Sequence, residues 1–186
     1  MSKTTEQLLT LLDSIQGSGS FATSGDKKFT PPGLHIEGLG EVGFPINDVQ
    51  ARAIIQLARQ AHYGKGSKTL TDTAVRNSWE IDARQVSFKG GEWDGVLKKI
   101  LKKVKEGLGI EKQPVTASLY KLLIYEKGGF FKTHKDSEKE PGMFGTLVIG
   151  LPSRHTGGVL RVRFGGREEA FDFSAMASEH RLPFAA

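Results

Sequence analysis

The chain has 186 residues, 38% of them hydrophobic, which is enough for one ordinary globular core. Its 26 Lys and Arg residues outnumber 21 Asp and Glu residues, and the resulting net charge of +5 does not identify a partner by itself. Because the sequence contains no cysteine, disulfide scaffolds, thiolate metal sites and cysteine nucleophiles are excluded, so a metal would need His, Asp or Glu ligands.

Membrane and export signals are not evident in the sequence. No apolar run approaches the roughly 20 residues of a membrane-spanning helix. Residues 1–6 carry no cationic stretch, and the apolar run from Leu8 to Leu12 is too short for the core of a signal peptide. We therefore expect a cytoplasmic or nuclear protein with no membrane partner.

The N-terminal segment is predicted to be separate from the main domain. Apolar residues at helical spacing predict a short helix over residues 5–16, and the Gly-Ser run at 17–20 predicts a flexible tether. This pattern divides the chain into a helix and tether at 1–26 and a single domain at 27–186.

Residues 38–43 match the letters G-x-G-x-x-G, which in a Rossmann fold would bind a dinucleotide. Pro45 follows closely, and the strands predicted downstream do not alternate with helices. This context favours a glycine-rich turn over a cofactor loop.

Two longer helices follow. Asn47 or Asp48 can cap a helix whose interior covers residues 51–61, with Gly64 as its end. The second runs from Trp93 to Leu108, since its apolar residues recur at three- and four-residue spacing.

Lysines occupy the opposite side of the second helix: Lys98, Lys99, Lys102, Lys103 and Lys105. They could contact phosphates with salt-dependent affinity. No aromatic residues are interleaved with them for base stacking, so a solvated face is favoured and a nucleic-acid partner is not expected.

After Pro114 the pattern changes to short strands bounded by turn residues: Ala117 to Tyr125, Gly145 to Leu151, Gly158 to Phe164 and Glu168 to Phe173. Helices first and strands afterwards indicate a mainly β protein with bracing helices (α+β), built on an antiparallel sheet, sandwich or barrel.

His134 and Asp136 form the sharpest candidate site. If residues 134–136 are extended, their side chains point to the same side and can reach one metal together. Two His and one carboxylate make the facial triad of ferrous oxygenases, and this pair supplies two of the three. The alternative is an ordinary hydrogen-bonded pair on the surface.

Residues 119–173, which surround His134 and Asp136, carry further motifs in a defined order. They contain Leu119 to Tyr125, Gly128, Phe131, Gly145 to Val148 and Leu151 to Leu160 in that order around His134 and Asp136. This order resembles prolyl 4-hydroxylase-type 2-oxoglutarate and Fe(II)-dependent dioxygenases. The segment from Lys65 to Phe88, with Asp72, Arg76 and Trp79, also resembles an uncharacterised branch of that group.

The resemblance implies a double-stranded β-helix (jelly-roll) core and a definite chemistry. His134 and Asp136 would bind Fe(II) as metal ligands and catalytic residues, and Tyr125 would hydrogen-bond the co-substrate 2-oxoglutarate. The implied reaction hydroxylates a protein side chain or small molecule with release of succinate and CO2, and ascorbate is a further implied reductant. Phe130 and Phe131 are expected to pack in the core rather than to touch substrate.

The family pattern also requires a distal histidine and an Arg or Lys for the far carboxylate of 2-oxoglutarate. We expect these to lie beyond Ala186, which predicts a domain that lacks its last strands. His180 is the alternative third ligand within the sequence, and His155 is predicted to sit exposed in a turn. The competing hypothesis is a catalytically inactive binding module of the same fold without a complete iron triad.

Overall fold

A computed structural model of the chain describes residues 19–28, 30, 33–65, 68–174 and 180–186, together with Gln7. The helix predicted over residues 5–16 therefore lies outside the described residues. The described chain contains the helices α1 (Asp48–Leu57) and α2 (Trp93–Leu108).

Helix α1 begins at a capping box. The Gln50 N–H donates to Asn47 Oδ1 (2.9 Å), and the Asn47 N–H donates to Gln50 Oε1 (3.1 Å). The prediction that this helix continues to Ala61 and ends at Gly64 is wrong, because Ala58 is already extended. Arg59 and Gln60 instead pair with a strand, so sheet hydrogen bonds replace the last predicted turn.

The predicted bounds of α2, Trp93 and Leu108, are confirmed. Val96, Ile100 and Val104 are buried along one side, and Gly109 ends the helix in the left-handed conformation (φ 69°) that glycine adopts without steric cost. Its outer lysines are exposed: Lys98, Lys99, Lys102 and Lys103. Over the part of the chain that the structure describes, no helix is both long enough and apolar enough to cross a membrane.

The predicted mainly β architecture is confirmed, although the strands are short. They are β1 (Ser24–Lys28), β2 (Leu34–Ile36), β3 (Gly40–Val42), β4 (Arg59–Gln60), β5 (Tyr63–Lys65), β6 (Lys68–Leu70), β7 (Arg76–Asn77), β8 (Trp79–Asp82), β9 (Val86–Phe88), β10 (Lys121–Ile124), β11 (Phe130–Phe131), β12 (Val148–Ile149), β13 (Leu160–Phe164), β14 (Arg167–Phe171) and β15 (Arg181–Ala185).

These strands pair antiparallel in several small sheets. The three-stranded sheets have the orders β1-β15-β12, β10-β8-β4 and β3-β2-β9, and the two-stranded pairs are β11-β7, β13-β14 and β5-β6. Among the described residues the sheets do not close into a barrel. The predicted order of helices first and strands afterwards is wrong, because β1 to β9 precede α2. β1 also spans the boundary predicted between residues 26 and 27.

The glycines of residues 38–43 serve a turn, as predicted. Residues 37–39 connect β2 to β3, and Gly38 (φ 83°) and Gly40 (φ 93°) adopt the positive φ that this tight reversal needs. The next residues enter β3 rather than a helix, so the dinucleotide-loop alternative does not fit this hairpin.

Two apolar clusters form the core. In the first, α2 packs against β15; in the second, β2, β3, β8 and β9 surround Ile54 of α1. Leu151 packs against both clusters and joins them. By contrast, residues 119–173 contain many exposed apolar side chains. Of the large side chains in this range, that of Pro152 is fully buried.

A buried carboxylate connects three strands of the sheet β10-β8-β4. Glu80 of β8 is 3% exposed, and its oxygens accept from Lys121 Nζ of β10 (2.5 Å) and Arg59 Nε of β4 (3.0 Å). Burial raises the pKa of Glu80, but the hydrogen bonds and charges of Lys121 and Arg59 outweigh burial and hold it below its usual value.

We predict that Glu80→Gln lowers the free energy of unfolding at pH 7 by about 3 kcal/mol, because Lys121 then loses its buried counter-charge. A carboxyl pKa lowered by folding stabilises the protein above its unfolded value and loses that effect as the pH falls through the folded pKa. Urea denaturation should therefore show the difference from wild type shrinking below about pH 4.5. Glu169→Gln, on the exposed side of β14, is the control. An equal loss in both variants at pH 7 would contradict the prediction.

Two phenylalanines allow a matched test of the core. Phe184 of β15 is 0% exposed and Phe164 of β13 is 67% exposed. We expect Phe184→Ala to cost about 4 kcal/mol of unfolding free energy, since it leaves a cavity beneath α2. Phe164→Ala should cost less than about 1 kcal/mol, and similar losses by chemical denaturation would contradict the assigned packing.

Candidate functional site

The candidate site is built on an antiparallel ladder between residues 76–82 and 121–131. Trp79 pairs with Ile124, and Asn77 pairs with Phe130, so Ser78 alone lies opposite residues 125–129. These residues form a turn, closed by the Gly129 N–H donating to the Glu126 carbonyl (2.7 Å).

This turn depends on glycine and on Trp79. A Cβ at Gly129 would lie 2.9 Å from the Glu126 carbonyl oxygen, closer than real Cβ contacts, and 3.0 Å from the Asn77 carbonyl oxygen, which is also tight. Trp79 Nε1 donates to Glu126 Oε2 (2.6 Å), which connects the turn to β8. After this turn the chain pairs with β7 again, and Phe131 lies opposite Arg76.

His134 and Asp136 converge just beyond this ladder. They lie outside the strands, yet His134 Nε2 is 3.4 Å from Asp136 Oδ1. The other atom of each group has a separate partner: His134 Nδ1 contacts the Lys132 carbonyl (2.8 Å), and Thr146 Oγ1 donates to Asp136 Oδ2 (2.6 Å). A neighbouring hydrogen bond of this kind orients metal-binding imidazoles and carboxylates.

The two groups shift each other's pKa. The interaction with Asp136 raises the pKa of His134, burial opposes it, and the Lys132 carbonyl adds to the rise. The interaction with His134 lowers the pKa of Asp136 to about 2, against partial burial, and the Thr146 hydroxyl lowers it further. The side chains are 38% and 50% exposed, so this pair is open to solvent.

Behind His134 lies an aromatic and cationic stack. The imidazole stacks on the Phe131 ring with centroids 3.6 Å apart and planes at 19°, and Arg76 Cζ lies 4.3 Å from the Phe131 centroid. Phe131 was expected to pack in the core, but its ring contacts His134, the proposed metal ligand. Phe130, also expected in the core, is 39% exposed.

The other predicted residues are exposed. Tyr125 follows β10 in the turn at 125–129 and is 46% exposed. His155 is exposed and its Nδ1 contacts the Ser153 carbonyl (2.8 Å), as expected for a turn histidine. His180 is exposed just before β15, and within the described ranges no group of three His, Asp or Glu side chains could hold a metal.

The donor set of this pair fits two positions of a divalent-metal site. An imidazole nitrogen and a carboxylate oxygen face each other, and both are pre-oriented by partners that leave these two atoms available. His134 and Asp136 would hold the metal, and Arg76, Phe131 and Thr146 would support them.

Thr146 and the stack were not predicted from the sequence. Thr146 is ten residues beyond Asp136, and Arg76 of the stack comes from another strand, so local spacing around residues 134–136 does not indicate them. No family model, curated protein or solved structure matches this chain.

We predict that Thr146→Val raises the pKa of Asp136, because the variant removes one hydrogen bond to the carboxylate. His134→Ala should raise it more, since His134 is the largest cause of the lowering. Carboxyl 13C NMR titration of Asp136 measures both shifts. Thr146→Ser, which keeps the hydroxyl, is the control, and an unchanged pKa in Thr146→Val would contradict the assigned bond.

Proposed function

We propose that this chain is a 2-oxoglutarate- and Fe(II)-dependent dioxygenase domain in which His134 and Asp136 bind the iron. The observation that carries the proposal is the convergence of His134 Nε2 and Asp136 Oδ1 at 3.4 Å, with Nδ1 and Oδ2 engaged by other groups. The family resemblance of residues 119–173 supplies the co-substrate and reaction type.

The surrounding fold supports the proposal without requiring it. The described chain is mainly β with antiparallel pairing, and the sheet β1-β15-β12 packs on α2. We propose that these sheets belong to a double-stranded β-helix core, with the candidate site beside the β7-β11 pair.

The residues of the chain have distinct tasks in this proposal. Bound iron would supply oxygen activation coupled to decarboxylation of 2-oxoglutarate, and the product would be a hydroxylated side chain or small molecule. His134 and Asp136 hold the metal through one nitrogen and one oxygen. Thr146 keeps Asp136 Oδ2 occupied, so that Oδ1 is presented toward His134. Tyr125 is the proposed hydrogen-bonding partner of the co-substrate.

An inactive binding module of the same fold is the alternative. In that case the His134 and Asp136 pair would be a surface ion pair stabilised by its own charges. The two proposals differ in whether a divalent metal displaces that pairing, which is directly measurable.

The test is an anaerobic titration of the full chain with Fe(II) and 2-oxoglutarate, followed by the visible charge-transfer band of the chelated co-substrate. Mn2+ titration, monitored by paramagnetic broadening of the imidazole signals, measures metal binding independently of oxygen. We expect both signals in the wild type and their loss in His134→Ala and Asp136→Ala, because each variant removes one of the two proposed ligands.

His155→Ala is the matched control, since His155 is also exposed and also contacts a backbone carbonyl two residues before it. It should leave both signals unchanged. Absence of both from the wild type would contradict the dioxygenase proposal and favour the inactive module. Mn2+ binding without the charge-transfer band would contradict the role of 2-oxoglutarate.

A further inference from the structure

Arg76 is a buried cation without a carboxylate partner among the described residues. It is 5% exposed, and its side chain donates to two uncharged acceptors, the His62 carbonyl from Nη1 (2.7 Å) and Ser78 Oγ from Nε (3.0 Å). The ion pairs within the described ranges do not include it. Buried guanidinium groups are usually paired with carboxylates, so another group must compensate this charge.

The Phe131 ring faces that charge. Arg76 and Phe131 are direct cross-strand partners in the β7-β11 pair, and Arg76 Cζ lies 4.3 Å from the ring centroid. A guanidinium above an aromatic face is attracted by the ring quadrupole, and the attraction is stronger when the cation is shielded from water. The hydrogen bonds of Arg76 fix the guanidinium, and its attraction fixes the plane of the ring.

His134 occupies the other face of the same ring. Its centroid is 3.6 Å from that of Phe131. One face of a six-membered ring cannot accommodate both planar groups at these distances, so Phe131 lies between Arg76 and His134. His134 follows β11 in an irregular segment, so neither a helix nor a strand fixes the position of its side chain.

The imidazole is thus fixed by two contacts of different kinds. The Lys132 carbonyl fixes the direction of Nδ1 (2.8 Å), and the Phe131 ring fixes the plane. Together they direct Nε2 toward Asp136 Oδ1. With the hydrogen bond alone, a half-exposed imidazole could still rotate about that bond.

We propose that Arg76 is a positioning residue for His134 and acts through the ring of Phe131. The inference rests on the proposed function, because it assigns Arg76 to the orientation of a metal ligand. In this role Arg76 orients the His134 imidazole from the opposite face of the Phe131 ring and is not itself a proposed metal ligand.

A double-mutant cycle in the full chain tests this relation, with Mn2+ as the probe. Arg76→Met and Phe131→Leu should each weaken Mn2+ binding about tenfold, as supporting residues of metal ligands do. The double variant should be no weaker than Phe131→Leu, because the orienting effect of Arg76 on His134 passes through the ring. Phe131→Tyr, which keeps an aromatic face, should retain wild-type affinity. Fully additive losses, or unchanged affinity in Phe131→Leu, would overturn the proposal.

A second measurement needs no metal. In the wild type the Phe131 ring current should move the carbon-bound protons of the His134 imidazole upfield of those of the exposed His155. We expect this difference to shrink in Arg76→Met while the fold persists, as judged by amide NMR spectra. Arg84→Met is the control, since Arg84 is an exposed arginine paired with Asp82 and should leave the His134 shift unchanged.

These readouts separate a positioning role from a purely structural one and from the proposed function itself. If Arg76→Met lowers only the unfolding free energy and leaves the proton shift unchanged, the positioning role is overturned. Should Arg76→Met not fold, Arg76→Gln keeps hydrogen-bond donors but not the charge, and a wild-type proton shift in it would also contradict the proposal. If the wild type binds no Mn2+, the proposed function fails, and the proton shift alone decides the role of Arg76.

Discussion

The register between residues 76–82 and 121–131 determines how the candidate site is arranged. Ile124 lies opposite Trp79 and Phe131 lies opposite Arg76, while the turn at 125–129 takes up the extra length of one strand. A shift of one residue would turn Phe131 to the other face of the pair and move it away from Arg76. His134 would then lose the ring on which it stacks. The orientation of both candidate ligands thus follows from strand pairing that begins well before them in the chain.

The buried charge of Glu80 helps to define that register. Its two cationic partners, Lys121 and Arg59, come from the strands on either side of β8, so the three side chains match in one alignment of the sheet. Buried ion pairs contribute little net stability compared with apolar packing, but misalignment leaves a charge buried without a partner. We infer that Glu80 destabilises incorrect registers of β10, β8 and β4, because a shifted strand would leave a buried charge unpaired. Glu80 lies four residues after Arg76 of the β7-β11 pair.

Local sequence signals predicted the features that arise from nearby residues. The bounds of α2 follow from apolar spacing and from Gly109, and the glycine-rich turn at residues 37–39 follows from its context. Strands of two to four residues carry too little alternation for their bounds to be predicted, and β10 and β12 are shorter than the segments predicted for them. Helix α1 is shortened because residues after Ala58 join a sheet. β15 was not predicted, and proline is rarely found in a central strand. Pro183 nevertheless accepts from the Gly150 N–H (2.8 Å), so the strand keeps its pairing with β12.

The candidate site shows the same division between local and distant causes. The identity of its donors was predictable, because two residues separated by one position can face the same side. Their orientation was not, since it depends on Thr146, on the Phe131 ring and on Arg76, all of which lie outside the motif. An ordinary surface pair of histidine and aspartate orients itself through its mutual hydrogen bond. Here the two groups interact at 3.4 Å, and the outer atoms Nδ1 and Oδ2 make additional, shorter contacts with other parts of the chain. Because His-x-Asp sequences are common, the proposed metal site rests on this support from outside the motif rather than on the motif itself.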